Sequence, residues 1–193
     1  NTKIHKLRKL YPNQYKNIFF SNSNDLFKKL KNVKVDYFIN FATLYSNSHT
    51  YDQIRKFVDS NILFPSLIYD LINHKVKKII NFGTMMQHSK NKLLTSKNFY
   101  AATKNAFEMI SNYYVNINNK TKFYNLKFYE SFGDNDKRKK IIPTLIKNYK
   151  NNLTTTILSK QLSLNIIHTD DIINSIMTLL NNNIKSGSYC IKN

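Results

Sequence analysis

Two stretches of the sequence, Lys77-Lys-Ile-Ile-Asn-Phe-Gly-Thr84 and Phe99-Tyr-Ala-Ala-Thr-Lys104, decide how the rest of the chain is interpreted. The first is a short apolar run that ends in a glycine and a hydroxyl residue, which predicts a buried β-strand. The second opens a segment to residue 117 in which apolar side chains recur on one face, which predicts an amphipathic helix. Together they predict a strand followed by a helix, with a polar loop at 88–98 between them.

The same alternation of strands and helices extends outward in both directions. Runs rich in β-branched and aromatic residues predict strands at 33–41, 77–82, 121–129, 153–158, 164–167 and 187–191. Helical spacing of apolar residues predicts helices at 25–31, 50–74, 99–117, 141–149 and 170–180, with Pro65 kinking or interrupting the second of them. This alternation predicts an α/β fold with a parallel sheet and helices on both faces, and ligands then bind at the carboxyl ends of the strands.

Composition and charge narrow the classes of function. The 193 residues carry a formal net charge of +19, but only Arg8, Arg55 and Arg138 are arginines and the lysines are scattered. Asparagine is also inflated, at roughly 15% of the chain, so we attribute the charge to codon usage rather than to nucleic-acid binding. The single cysteine excludes a disulfide framework, and no run of about 18 apolar residues predicts a membrane span. We expect no nucleic acid, no membrane contact and a cytoplasmic location.

The start of the chain predicts that it is incomplete. The first residue is Asn1 rather than methionine, and the sequence opens in a polar, basic stretch from Lys3 to Lys16. We therefore expect a segment of a longer protein.

Tyr100 and Lys104 are separated by one helical turn, which places them on the same face of the predicted helix. An ammonium group there favours the phenolate, so we expect Lys104 to lower the tyrosine pKa toward a range useful for proton transfer. In a chain with 13 tyrosines the pair by itself also fits an exposed tyrosine beside a solvated lysine. Thr84 lies at the end of the preceding strand, and its presence there favours a catalytic site that includes Tyr100 and Lys104. A threonine at this position also fits a simple cap of the turn.

The order of these features resembles that of the short-chain dehydrogenases/reductases. Most of the chain resembles their extended branch, which contains nucleotide-sugar epimerases, dehydratases and reductases. Val35-Asp-Tyr-Phe-Ile-Asn-Phe-Ala42 is similar to the family's strand that ends beside the cofactor, and Ile166-Ile-His-Thr-Asp-Asp171 is similar to its Ile-His-Val-Asp-Asp element. Asn61 lies in the helix where the family often has asparagine, and Phe132-Gly133 resembles the family's Tyr-Gly element.

A finer similarity points to one subset of this branch. The residues that carry it are Ala42-Thr-Leu-Tyr45, Leu63-Phe-Pro65, Asn81-Phe-Gly-Thr84 and Lys127. They resemble the CDP-abequose and CDP-paratose synthase group, which reduces a CDP-4-keto-3,6-dideoxyhexose with NADPH in dideoxysugar and surface-polysaccharide biosynthesis.

The resemblance implies a Rossmann-like fold that lacks its first βα units. Residues 1–133 would form part of an NAD(P)-binding domain, and residues 134–193 part of a small substrate-binding region. In that region a strand and a helix at 164–183 would return to the core. The resemblance also implies NADP or NAD as the cofactor, a nucleotide-diphosphate sugar as the substrate, and a homodimer formed through the helices at 54–74 and 99–117.

The resemblance assigns roles to individual residues. Tyr100 would protonate the 4-keto oxygen, Lys104 would hold the nicotinamide ribose, and Thr84 would donate to the same oxygen. Ala42 and Thr43, together with Tyr100 and Lys104, would contact the cofactor. Tyr45 and Ser131, together with Thr84, would contact the substrate. No metal site is expected, because neither His49 nor His168 has further ligands at a suitable spacing.

Departures from the family keep alternatives open. The only glycines are Gly83, Gly133 and Gly187, so the family's Gly-x-x-Gly-x-x-Gly loop is absent. Leu164 stands where the family often has arginine, and Asp134 where many relatives have proline. The alternatives to a reductase are an epimerase or a dehydratase of the same family, or a non-catalytic remnant. Met85-Met86 argues against dehydration, because dehydratases typically carry an acid pair after the catalytic threonine.

Other polar and reactive residues receive structural interpretations. Asp170-Asp171 fits the capped start of a helix rather than an acid/base pair. Cys190 fits a buried small residue in a strand. The run from Lys137 to Lys140 fits a solvated loop, with contact to a diphosphate as the alternative.

Overall fold

A computed structural model describes residues 23–32, 34–88, 95–117, 120–134, 136, 138, 140–157, 159, 161 and 163–192. The basic stretch from Lys3 to Lys16 lies outside these residues. The chain divides into two compact units, 1–33 and 34–193. The first unit contributes helix α1 (Ser23–Asn32), which confirms the helix expected at 25–31.

The second unit alternates strands with helices in the predicted order. In chain order it contains β1 (Tyr37–Asn40), α2 (Gln53–Val58), a π-helical segment (Asp59–Leu63), α3 (Phe64–Ile72), β2 (Lys78–Phe82), a 3₁₀ turn (Met85–Gln87), α4 (Phe99–Ile117), β3 (Lys122–Lys127), β4 (Glu130–Phe132), α5 (Ile141–Lys150), β5 (Ile166–His168), α6 (Thr169–Asn181) and β6 (Gly187–Cys190). The main sheet has the order β1-β2-β3-β6, and β4 pairs with β5 in a smaller sheet. Every pair is parallel, which confirms the predicted α/β class.

Helices cover both faces of the main sheet because its strands carry apolar side chains on both sides. On one face Tyr69 of α3 packs its ring against Phe107 of α4 and Phe123 of β3. On the other face α6 completes a buried cluster, whose members are Ile80, Phe82, Tyr124, Leu126, Ile167, Ile172, Ile176 and Leu179. Lys78 fastens the end of α6, because its ammonium donates to the carbonyls of Leu179, Leu180 and Asn182 at 2.7–2.8 Å.

A row of asparagines crosses the main sheet at a single register. Asn40, Asn81 and Asn125 are direct neighbours in β1, β2 and β3. Asn40 Nδ2 donates to Asn81 Oδ1 at 3.0 Å, and Asn81 Nδ2 donates to Asn125 Oδ1 at 2.9 Å. All three side chains are buried, so these two bonds satisfy both polar atoms of the Asn81 amide, which water does not reach, whereas Asn125 Nδ2 has no partner in the described part of the chain.

The long helix expected at 50–74 is present as α2, the π-helical segment and α3. The irregular part is the π-helical segment, where the Phe64 amide donates to the Asp59 carbonyl. Pro65 follows directly at the start of α3 and has no amide proton to give to the preceding turn. The extra residue in the π turn accommodates the proline without ending the helix.

Some predictions of local structure are wrong. Residues 153–157 form no strand, and the side chains of Leu153 and Ile157 are exposed. The strand expected at 121–129 ends at Lys127, and the chain starts again as β4 in the smaller sheet. Cys190 is exposed rather than buried, because β6 is an edge strand with alternating burial. In the described part of the chain, we find no helix with the length and apolar character of a membrane span.

Candidate active site

A cavity of about 800 Å³ opens at the carboxyl ends of β1 and β2 and continues along β4 and α6. It gathers side chains from distant parts of the chain, as the prediction for parallel sheets requires. The described residues that line it are Phe41, Thr43, Tyr45, Phe82, Gly83, Thr84, Met86, Tyr100, Lys104, Phe128, Tyr129, Glu130, Ser131, Arg138, Lys140, Thr169, Ile172, Ile173 and Ile176. Six of the predicted site residues are therefore brought together, and Ala42, whose amide donates to Asn40 Oδ1, is not among the lining residues described.

Thr84 lies in the cavity wall directly after β2 and is only 5% exposed. Its hydroxyl oxygen accepts from the Met86 amide at 3.3 Å and caps the 3₁₀ turn. That bond uses an oxygen lone pair, so the hydroxyl proton stays available to a ligand. The cap and the site interpretation of Thr84 are thus compatible.

Tyr100 and Lys104 occupy one face of α4, as their spacing predicts, and both are buried. The Lys104 ammonium lies 6.0 Å from the centre of the Tyr100 ring. Burial raises the pKa of Tyr100 to about 12, although a hydrogen bond with Thr43 acts in the opposite direction. Burial also lowers the pKa of Lys104 to about 8. The expected lowering of the tyrosine pKa is therefore absent in this structure, because loss of water on burial outweighs the hydrogen bond with Thr43.

Asn61 ties the loop after β1 to α4. Its Oδ1 accepts from the Leu44 amide at 2.7 Å and from the Thr43 hydroxyl at 3.2 Å. Its Nδ2 donates to the Leu44 carbonyl at 2.9 Å and to Thr103 Oγ1 at 3.0 Å. Tyr45 is carried by this loop and packs edge-on against Tyr100, with ring centres 4.9 Å apart. A buried asparagine in the π-helical segment thereby sets the position of the residues predicted to contact the cofactor.

The opposite wall of the cavity is more exposed and carries charges. The Arg138 guanidinium donates to the Ser131 carbonyl at 3.1 Å and also pairs with Asp136. Lys140 pairs with Glu130 of β4. Of the basic run expected at 137–140, Lys137 and Lys139 lie outside the described residues, whereas Arg138 and Lys140 line the cavity. Both of these cations are thus paired with a carboxylate, and Glu130 also lines the cavity.

Aromatic side chains form an apolar patch in the cavity that sequence reasoning did not identify. Phe41 stacks on Phe82 with ring centres 4.5 Å apart, and Phe128 meets Phe82 edge-on at 6.2 Å. Ile172 and Ile176 of α6 line the same side. A flat ring or an apolar edge of a ligand would be desolvated there.

Gln87 is a second residue that sequence reasoning missed. It is fully buried, and its side-chain oxygen accepts from the Thr84 amide at 2.8 Å. The signal for it was available, because Thr84-Met-Met-Gln87 has the spacing of a helix capping box.

The histidines and paired aspartates have structural contacts. Asp170 and Asp171 lie in the first turn of α6, whose cap is His168 Nδ1 accepting from the Asp170 amide at 3.3 Å. The expected capped helix start is present, but the capping side chain is the histidine. His49 stacks on Phe99 at 4.4 Å. Among the residues described, no group of three potential ligands is placed to hold a metal ion.

Comparison of the sequence with known proteins identifies one family. The profile of the NAD-dependent epimerase/dehydratase family matches residues 3–191. CDP-abequose synthase of Yersinia pseudotuberculosis is 28% identical over 166 residues, which cover 85% of this chain and 57% of that protein. CDP-abequose synthase of Salmonella muenchen is 27% identical over 159 residues, which cover 80% of this chain and 52% of that protein. The chain thus spans little more than half the length of these curated relatives.

Comparison with solved structures gives the same fold. UDP-glucuronic acid 4-epimerase from Bacillus cereus superimposes with a TM-score of 0.73 at 20% identity, covering 89% of this chain and 58% of that chain. MoeE5, solved with UDP-glucuronic acid and NAD, superimposes with a TM-score of 0.74 at 15% identity, covering 90% of this chain and 62% of that chain. At these identities the likeness concerns the fold.

Proposed function

This chain belongs to the NAD-dependent epimerase/dehydratase family, and from that premise we propose that it takes part in the NAD(P)H-dependent reduction of a nucleotide-diphosphate 4-keto-deoxyhexose. The observation that carries the proposal is the convergence of Thr84, Tyr100 and Lys104 on one wall of the cavity. A hydroxyl donor, a phenol and an ammonium are the groups that ketone reduction needs around a carbonyl oxygen.

The protein's own groups act on the carbonyl oxygen. A bound reduced nicotinamide cofactor would supply the hydride that the carbonyl carbon takes up. As the C=O π bond breaks, Tyr100 gives its proton to the oxygen and becomes a phenolate. Thr84 donates a hydrogen bond to the same oxygen where negative charge develops. The Lys104 ammonium stabilises the phenolate until solvent returns the proton.

The protonation states of the free site suit this direction of proton transfer. A tyrosine pKa of about 12 keeps the phenol protonated at neutral pH, so it is ready to act as an acid. A lysine pKa of about 8 leaves most of the ammonium charged at neutral pH. Reduction should therefore weaken as the pH rises through about 8 and Lys104 loses its charge.

The cavity fits the nicotinamide end of the cofactor. Lys104 would hold the ribose, Thr43 would line the ring, and the stacked Phe41 and Phe82 offer an apolar surface. The three glycines are too far apart in the sequence to form a glycine-rich loop for the pyrophosphate.

A CDP-sugar is the proposed substrate class. Support comes from the names of the two curated relatives and from the residues that resemble that group, among them Asn81-Phe-Gly-Thr84. Arg138 and Lys140 would meet the diphosphate, and Tyr45 and Ser131 would contact the sugar. Location in the cytoplasm and homodimer formation belong to the same proposal.

Calorimetric titration of NADPH into the chain tests the cofactor site first. Binding with a dissociation constant of about 1–100 μM is expected if the nicotinamide end suffices for recognition. Incubation with NADPH and a CDP-4-keto-deoxyhexose then tests the reaction through loss of absorbance at the reduced nicotinamide band. Consumption of one NADPH per sugar reduced supports a reductase. Isomerisation of a nucleotide sugar without net consumption of NADPH would replace the proposal with an epimerase.

A further inference from the structure

The side chain of Gln87 links Thr84 to the helix that carries Tyr100. The Thr84 amide donates to Gln87 Oε1 at 2.8 Å. Gln87 Nε2 donates to Asn105 Oδ1 and to Glu108 Oε2, each at 2.7 Å. Asn105 and Glu108 both belong to α4. These bonds, which we call the Gln87 network, run without a break from the β2 end to α4.

Glu108, together with Asn105 Oδ1, which accepts from the same Nε2, determines which way the Gln87 amide faces. Burial alone would raise the pKa of the Glu108 carboxyl, but hydrogen bonds from Ser188, Lys127 and Gln87 keep it below its ordinary value. A charged carboxylate only accepts hydrogen bonds, so Gln87 must present its NH₂ group to α4. Its carbonyl oxygen is then left to face the Thr84 amide.

The surroundings leave this arrangement little freedom. Lys127 Nζ lies 2.9 Å from Glu108 Oε2, and both side chains are largely buried, at 8% and 14% exposure. A Cβ on Gly83 would lie 2.6 Å from Gln87 Oε1 and 2.9 Å from Lys127 Cγ. A glycine is therefore required before Thr84, since any other residue would displace the network.

We propose that Gln87 is a positioning residue, and that its side chain, oriented by Glu108, fixes Thr84 relative to Tyr100 so that both hydroxyls meet one carbonyl oxygen. The catalytic meaning of this inference rests on the proposed reductase function. The Gln87 network acts on turnover rather than on binding, because its members meet the ligand only through Thr84. The Glu108–Lys127 pair keeps the carboxylate charged and so maintains the orientation.

Hydrogen exchange of the Thr84 amide tests the network without any substrate. Glu108→Gln replaces a carboxylate that only accepts by an amide that can also donate, and we expect Thr84 to exchange about tenfold faster relative to the Ile80 amide within β2. Lys78→Met is the matched control, since it breaks part-buried hydrogen bonds at the end of α6 and leaves the Gln87 network intact. The Thr84-to-Ile80 ratio should not change in this control. An unchanged ratio in Glu108→Gln would overturn the inference.

A second variant keeps the test valid if Glu108→Gln fails to fold because Lys127 is left without its ion-pair partner. The double variant Glu108→Gln/Lys127→Met removes both charges and should give the same increase in the exchange ratio. If it folds and Thr84 stays as protected as in the wild type, the inference is overturned.

A double-mutant cycle on turnover separates positioning from structural support. With Thr84 present, Glu108→Gln should lower kcat about tenfold and leave KM within about twofold. In a Thr84→Val background the same change should have no further effect on kcat. Equal effects in both backgrounds would overturn the positioning role. If the wild-type chain reduces no ketosugar, the proposed function fails. The exchange ratio alone then tests whether the Gln87 network holds Thr84 in place.

Discussion

The two walls of the cavity differ in how their side chains are held. On the buried wall Thr84, Tyr100 and Lys104 are between 4% and 9% exposed; Thr84 follows a central strand directly, and the other two stand on a long helix. On the exposed wall Ser131, Arg138 and Lys140 stand on a short strand and the segment after it, and the ion pairs of Arg138 and Lys140 are partly open to solvent. One wall is fixed by packing and buried hydrogen bonds, whereas the other is held by contacts that water screens.

Under the proposed function, the buried wall would carry out the chemistry and the exposed wall would recognise the substrate. A proton donor and an oxyanion donor need positions that do not change between turnovers, and a rigid scaffold provides them. A diphosphate needs positive charge within reach, which long flexible side chains provide with less geometric demand. Substitutions on the buried wall should therefore change turnover or stability strongly, and those on the exposed wall should change affinity modestly.

The largest effect is expected from Tyr100→Phe on the buried wall. Removal of the phenol proton should lower kcat by about 10²–10⁴-fold, the range for loss of a general acid. The affinity for NADPH, measured by calorimetry, should change by less than about threefold. Tyr113→Phe, on the exposed side of the same helix, is the control and should keep full activity. Unaffected turnover in Tyr100→Phe would remove this residue from the mechanism.

Lys104→Met should separate stability from function on the same wall. A pKa lowered from 10.5 to about 8 by burial corresponds to about 3 kcal/mol spent on keeping the ammonium charged in the folded state. The substitution should raise the free energy of unfolding at pH 7 by up to about 3 kcal/mol while it abolishes turnover. Denaturant unfolding measures the first effect.

The pH dependence gives this prediction its sign. Between about pH 8 and pH 10.5 the unfolded wild type binds the lysine proton more often than the folded state, so wild-type stability rises with pH. The advantage of Lys104→Met should therefore shrink across that window and vanish above it. Lys56→Met, at an exposed position of α2, should show no such dependence. An equal gain at pH 7 and pH 10.5 would contradict the burial argument.

Asn61→Ala should disturb the buried wall, because Asn61 holds the loop at 42–45 against α4. The change leaves the amide and carbonyl of Leu44 without their side-chain partners, which should cost about 2 kcal/mol of unfolding free energy. Because the loop at 42–45 loses its tie to α4, the affinity for NADPH should also fall. Asn174→Ala on the exposed face of α6 is the control and should change stability by less than about 0.5 kcal/mol. A variant as stable as this control would show that the loop is held by other contacts.

Lys140→Ala on the exposed wall should give the smallest effect. Loss of one cation near a diphosphate should raise KM for the nucleotide sugar about tenfold and leave kcat within about twofold. The KM difference should decrease with added salt, because the contact is solvent-exposed. Lys147→Ala on α5 removes the same charge farther along the chain and serves as control. A fall in kcat instead of a rise in KM would contradict the conclusion that the exposed wall acts on affinity and the buried wall on turnover.

The sequence predicted those parts of the fold that local patterns encode. β2 and α4 were found because an apolar run and a helical repeat each have a period that burial imposes. Residues 153–157 were wrongly predicted as a strand because a run of β-branched residues does not reveal whether a neighbouring strand exists. The exposure of Cys190 depends on β6 being an edge strand, which is a property of sheet order.

The candidate site was predictable to a similar extent. Thr84, Tyr100 and Lys104 stand out by order and spacing, and the cavity brings them together. The effect of burial on the Tyr100 pKa and the pairing of Glu108 with Lys127 depend on how distant elements pack. No local pattern reports such contacts. Gln87 is intermediate, since its capping-box spacing is visible but its bonds to α4 are not.

The asparagine row of the main sheet has a consequence for the register in which the strands pair during folding. A slip of β2 by one residue would turn Asn81 toward the α6 face, where its neighbours are apolar. Asn40 and Asn125 would then be buried without the amide that joins them. Each misaligned pairing thus leaves buried amides without these hydrogen bonds, which costs free energy. The row therefore disfavours incorrect strand alignment, and the cavity needs the correct alignment to form.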